Sequence, residues 1–169
     1  VEIVKIAKPV GLALSRQNLP VIDRSKFKST ENVKKGAYVL AYGDENATEK
    51  CEVILIATGS EVHLALAARE QLLTLGIKAR VVSAPCLEWF LQQPISYQEQ
   101  VLPKKIRARV SIEAGIAQSW YQFIGDAGVP VSLEHFGASA SASVLFKEFG
   151  FTVENVLKAA KESISKAHG

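Results

Sequence analysis

Few residues in this chain are of a type and spacing that suit chemistry, and Arg16 is the foremost of them. It stands in Leu12-Ala13-Leu14-Ser15-Arg16-Gln17-Asn18-Leu19-Pro20, after a short apolar segment and before a proline turn. A guanidinium aimed into a cleft from such a place can hold a phosphate through two parallel hydrogen bonds. Ala57-Thr58-Gly59-Ser60-Glu61 lies where an apolar run ends and a helical pattern begins. Open α/β sheets bind ligands at such junctions, where free backbone N–H groups attract anions. This junction lacks both the G-x-G-x-x-G spacing of a dinucleotide site and the Gly-Lys-Ser/Thr of a phosphate loop. The Glu61 carboxylate would also repel an anion. The segment is read as a strand-to-helix turn with Ser60 as the helix cap, and Phe136-Gly137-Ala138-Ser139 is read in the same way.

The histidines give no catalytic arrangement. His63 shares a polar helical face with Ala67, Glu70 and Thr74, His168 falls in the tail, and His135 stands just past a strand end. Glu113, before Gly115, has the placement of a base, but a solvent-facing or turn-bracing carboxylate is the commoner role there. No Ser, His and Asp fall into a nucleophile arrangement, and no G-x-S-x-G elbow occurs. No catalytic, cofactor-binding or metal-ligating residue is assigned in this chain.

The composition narrows the class. The chain has 169 residues, 48% of them hydrophobic, with a net charge of +3. That length and apolar content suit one globular domain with a short arm. Nucleic-acid binding needs a concentrated basic stripe. The longest basic run, Lys104-Lys105 with Arg107 and Arg109, is interrupted by Ile106 and Ala108 and reads as a solvated approach to a strand. Cys51 and Cys86 lack metal or disulfide spacing, which predicts reduced thiols in a cytoplasmic protein. No signal peptide or membrane-length apolar run is present. Val1, where an initiator Met would stand, enters directly into an apolar stretch, and this predicts a piece of a longer protein.

The elements that must position these residues read as follows. Val10–Leu14 is a short strand, and residues 23–35 are a polar linker, so the compact domain spans 36–169. Strands are expected at Ala37–Tyr42, Cys51–Ala57, Arg80–Ser83, Arg109–Glu113 and Val131–Leu133. The turn at Gly43–Lys50 is too short for a parallel crossover, so the first two strands are antiparallel if they are neighbours. Val53–Ile56 has no polar alternation, which predicts burial on both faces. A helix over Ser60–Leu75 ends at Gly76 and buries Val62, Ala65, Leu66, Leu72 and Leu73. Further helices are expected over Leu87–Leu102 with a break at Pro94, over Ala117–Ile124 and Ala140–Phe149, and over Val153–Lys166 with a Thr152 cap. Repeated β-α-β units predict an α/β fold with helices on both faces of a mostly parallel sheet.

Taken in order, several segments resemble transketolases: Leu14–Pro20, Lys35–Leu40, Ile56–Val62, Lys78–Ser83, Ser111–Gly115, Phe136–Ser139 and Phe149–Thr152. Val1–Lys8 matches poorly, and Ser141 stands where many relatives have proline. The resemblance implies that residues 1–35 are the tail of a pyrimidine-binding domain with its linker, and that 36–169 form the C-terminal domain. That domain is a three-layer α/β/α arrangement with a five-stranded mixed sheet whose first strand is antiparallel. The implied activity is transfer of a two-carbon ketol unit between sugar phosphates in the pentose phosphate pathway. Thiamine diphosphate and Mg2+ or Ca2+ serve it at a site between the subunits of a homodimer. Arg16 matches the arginine that contacts the sugar phosphate, and the cofactor would be held by parts outside this chain. The Leu-Ser-Arg-Gln-Asn-Leu-Pro segment favours transketolase over 2-oxo acid dehydrogenase β subunits and deoxyxylulose phosphate synthase. Dihydroxyacetone synthase, a regulatory module using the Thr58-Gly59-Ser60 turn and a purely structural dimerisation domain remain as alternatives.

Overall fold

The computed structural model describes residues 9–23, 25–27, 30–43 and 51–169. The expectations for Val1–Lys8 and for most of the Gly43–Lys50 turn lie outside the described residues.

A 3-10 helix, Thr30–Lys35, leads into β1, Tyr38–Ala41. β2, Val53–Ala57, feeds the helix α1, Glu61–Thr74, and β3 follows at Ala79–Ser83. The short helices α2, Leu87–Leu91, and α3, Ile95–Val101, are split at Pro94. β4 is Arg109–Ile112, followed by a 3-10 turn, Ala117–Trp120, and the single helical turn α4, Tyr121–Ile124. β5, Val129–Val131, precedes α5, Ala142–Glu148, and α6, Val153–His168.

The five strands run in the order β1-β3-β2-β4-β5. β1 is antiparallel to β3, and all other pairs are parallel. The mixed sheet is therefore as expected, but β1 and β2 are not neighbours, because β3 lies between them. Side chains of Val53, Leu55 and Ala57 enter the core beneath α1 and α6. Ile54 and Ile56 enter the opposite core, with Phe90, Trp120, Phe123 and Ile124. An apolar run without alternation is what a strand needs when water reaches neither face.

Several local expectations change. Val10–Leu14 forms no strand, and Val10, Leu12 and Leu14 are exposed. A strand needs a neighbour for its backbone groups, and none of the described strands pairs with this one. The polar linker is partly structured. Asp23 accepts from the Ser25 N–H and hydroxyl at 2.9 and 2.6 Å, and Ile22 and Phe27 pack on the core beside β1. Ser60 has helical backbone angles and makes no capping bond, so the helix is initiated from Thr58, whose carbonyl accepts the Glu61 N–H at 3.2 Å. Within α1, Ala68 is buried and Leu73 exposed, because positions 61, 65, 68 and 72 hold the inward register. The last strand starts two residues early and includes Pro130, which a sheet edge tolerates. His168 lies within α6, where a tail was expected.

Two glycines are required by geometry. At Gly76, with φ at +78°, the N–H reaches Leu73 O at 3.0 Å and Ile77 N–H reaches Leu72 O at 2.9 Å, closing α1 in a Schellman motif. At Gly36, with φ at +84°, a Cβ would collide with the Cys86 carbonyl and the Phe90 amide. The Gly36 carbonyl accepts the Cys86 N–H at 2.9 Å, which ties the entry of β1 to the start of α2.

Thr152 is a working cap, its hydroxyl accepting the Asn155 N–H at 3.3 Å. Thr152→Ala should therefore cost about 1 kcal/mol in urea unfolding, the loss of one N-cap bond. No measurable loss at Thr152 would contradict the assigned cap.

Candidate functional site

The C-terminal ends of β2 and β4 meet at the place where parallel sheets usually bind ligands. β2 passes through Gly59, with φ at +55°, into α1. That turn carries Glu61 inward, leaving it 5% exposed, with its Oε1 accepting the Ser60 hydroxyl at 3.1 Å. Burial raises the Glu61 carboxyl above the ordinary glutamate range, and the charge of Glu113 adds to the rise. Glu113 follows β4. Its N–H donates to Val131 O at 3.2 Å, and its carboxylate accepts the Trp120 indole N–H at 2.5 Å. The bracing role expected for Glu113 is thus the one observed.

The neighbouring loop is organised by Glu134, whose Oε1 accepts the Ala117 N–H at 2.9 Å and the Ser132 hydroxyl at 2.8 Å. Those bonds lower the Glu134 carboxyl below its usual value. His135 is exposed, with Nδ1 2.7 Å from the Phe136 carbonyl and its ring edge-on to Phe149 at 4.9 Å. Phe136 is 99% exposed. Among the described residues, this mouth therefore presents carboxylates already engaged in holding loops, and no nucleophile paired with a base. Negative charge at Glu61 and Glu113 opposes phosphate binding at the Gly59 turn. Among the described residues, no three His, Cys, Asp or Glu side chains are grouped to hold a metal ion.

Arg16 stands apart from this mouth in character. It is exposed, at a bend in an irregular segment, and makes no hydrogen bond or ion pair with any described residue. His63 is half-buried on α1, and no hydrogen bond joins it to the carboxylates.

The polar residues that matter most inside the domain were not singled out in the sequence. Arg109, expected in a solvated run, is a clamp on backbone carbonyls. It donates to Phe123 O at 2.5 Å, Pro103 O at 2.9 Å, Ile106 O at 3.0 Å and Leu102 O at 3.2 Å. Its correction is physical: the apolar residues around it form core, so the side chain is drawn in and must be paired. Ser163 on α6 is fully buried, accepting Arg109 N–H at 2.8 Å and donating to Ala127 O at 2.7 Å. Arg80 is 5% exposed within β3. The one visible signal was a lone arginine inside an otherwise apolar strand.

A family model described as the transketolase-like C-terminal domain matches residues 36–152. The chain belongs to the transketolase family. It is 50% identical to the transketolase of Mycobacterium leprae over 91% of this chain and 22% of that protein. It is 49% identical to transketolase 1 of Escherichia coli over 91% of this chain and 22% of that protein. Among solved structures, a Pichia stipitis transketolase in complex with sedoheptulose-7-phosphate superposes with a TM-score of 0.77 at 36% identity. That match covers 89% of this chain and 20% of the other. The chain thus spans about a fifth of the length of the transketolases it matches.

The buried Glu61 gives this transketolase domain a defined pH response. A carboxyl raised on folding supports stability below the ordinary glutamate pKa, and that support is lost as pH rises through the raised value. Glu61→Gln should therefore be more stable than the parent at pH 7, with the gap closing toward pH 4. Thermal unfolding across that range checks this, and a gap that widens on acidification would contradict it.

Proposed function

We propose that this chain is the C-terminal part of a transketolase that, when complete, moves a two-carbon ketol unit from a ketose phosphate to an aldose phosphate. The observation that carries the reading is identity at about half of all positions, across nine-tenths of the chain, with proteins named transketolase. The Pichia stipitis relative solved with sedoheptulose-7-phosphate supports phosphorylated sugars as the substrate class. The full enzyme is proposed to act as a homodimer in the cytoplasm. Among the described residues, no helix is long and apolar enough to cross a membrane.

Thiamine diphosphate with Mg2+ or Ca2+ is the proposed cofactor of the complete enzyme. The described residues do not fit it: they offer no metal-ligand grouping, and the Gly59 turn is flanked by the inward Glu61 carboxylate. No step through the cofactor is derived from this chain, and its binding is assigned to the remaining four-fifths of the protein.

This chain's contribution to substrate handling is proposed to be Arg16. Its guanidinium carries a fixed charge and makes no hydrogen bond or ion pair with any described residue, so its donors are available to a sugar phosphate. A hydrogen bond to a charged group is worth about 1.5–3 kcal/mol, so Arg16→Ala in the full-length enzyme should lower kcat/KM for phosphorylated substrates roughly 10- to 150-fold. Unphosphorylated acceptors should lose far less. An equal loss for both classes would refute the phosphate role while leaving the family assignment intact.

A further inference from the structure

One stretch of the domain's surface carries no charge. From Phe136 to Phe146 there is no Asp, Glu, Lys or Arg, in a chain where 22% of residues are charged. Residues 134–141 are nevertheless all exposed. Phe136 is 99% exposed, Val144 of α5 49%, and Ile116, after β4, 56%. Depletion of charge with enrichment of aromatic side chains marks the core of a protein interface and not a free surface.

The loops that present these side chains are held in place. Leu133 N–H donates to Gly115 O at 2.9 Å, and Glu134 Oε1 accepts the Ala117 N–H at 2.9 Å, which ties the Ile116 and Phe136 loops together. His135 packs edge-on to Phe149 at 4.9 Å, with its Nδ1 2.7 Å from the Phe136 carbonyl. At 99% exposure the Phe136 ring itself packs on nothing in this domain. A lone exposed apolar side chain is normal on a surface. A fully exposed aromatic on a braced loop, leading into a charge-free run, has the character of a preformed anchor for a partner.

We infer that this face docks against the upstream part of the same transketolase subunit. The partner surface, on the reading that this chain is the C-terminal part of that enzyme, lies in the remaining four-fifths or so of the subunit. The polypeptide runs back from the domain beside β1, where Ile22 and Phe27 pack, into an arm whose Val10, Leu12, Leu14 and Val21 are exposed. β1 and β5 are opposite edges of the sheet, four strand spacings or roughly 19 Å apart. A body several times the size of this domain, tethered at one edge, spans that distance. The tether also supplies an effective concentration in the millimolar range, which a separate chain lacks. The surface that meets the charge-free run must itself be apolar, because a charge there would lose its hydration without gaining a partner.

Hydrogen–deuterium exchange of residues 132–141, in the 169-residue chain and in the full-length enzyme, tests this. These amides should exchange at least about tenfold more slowly in the full-length enzyme, the factor that burial of one aromatic side chain supports. Phe136→Ser should remove most of that protection from the full-length enzyme and leave the unfolding midpoint of the 169-residue chain unchanged. Equal exchange in the two proteins, or protection that survives both Phe136→Ser and Ile116→Ser, would overturn the inference. Protection that disappears when the full-length enzyme is diluted to monomers would assign the face to a second subunit, and would overturn it as well. Ketol transfer by the full-length parent reports separately on the enzyme reading, so the failure of one is distinguishable from the failure of the other.

Discussion

The complete burial of β2 is the constraint on which the rest of the domain depends. All five residues, Val53–Ala57, are at most 1% exposed, and the strand is hydrogen-bonded on both sides, to β3 and β4. Its side chains alternate between two separate cores, so each face must be roofed by helices. Burying a Leu, Ile or Val side chain contributes about 1.5–3 kcal/mol, so this strand anchors both layers at once. It also fixes the position of the Gly59 turn, and with it the inward placement of Glu61.

The two cores are then stitched by a few buried or half-buried polar groups whose hydrogen bonds are made within the domain. Arg109 gathers three carbonyls from the segment that follows α3 and one from α4, and Ser163 joins α6 to β4 and to Ala127. Glu113 fixes the Trp120 indole against the second core. Such bonds contribute modestly when made and are expensive when one partner is removed. Arg80 is the exception, because its Nε is unmet.

The sheet was legible in the sequence because its signals are local. Val53–Ile56 has no polar residue, the breaks at Gly76 and Pro94 are sharp, and Thr152 precedes a long amphipathic pattern. Neighbour relations were less legible: the turn length constrained β1 and β2 only if they paired, and β3 came between them. Val10–Leu14 has a strand's composition, yet pairing depends on a partner strand and not on the segment itself. Arg80 and Arg109 were opaque for a related reason. A charged residue in an apolar stretch shows whether it is solvated or clamped only once the surrounding carbonyls are in place. The Arg16 assignment came from resemblance to a family, since an exposed arginine in an irregular segment carries little signal alone.

The central proposal is that this chain forms a self-supporting α/β domain of a transketolase and does not itself build the cofactor pocket. Heat unfolding of the 169-residue chain, with and without thiamine diphosphate and Mg2+, tests both halves of it together. A ligand that binds only the folded state raises the unfolding midpoint. The account predicts one cooperative transition whose midpoint is the same in the presence and absence of the cofactor. A clear rise with thiamine diphosphate and Mg2+ would show that this chain itself builds the pocket, and would contradict the account.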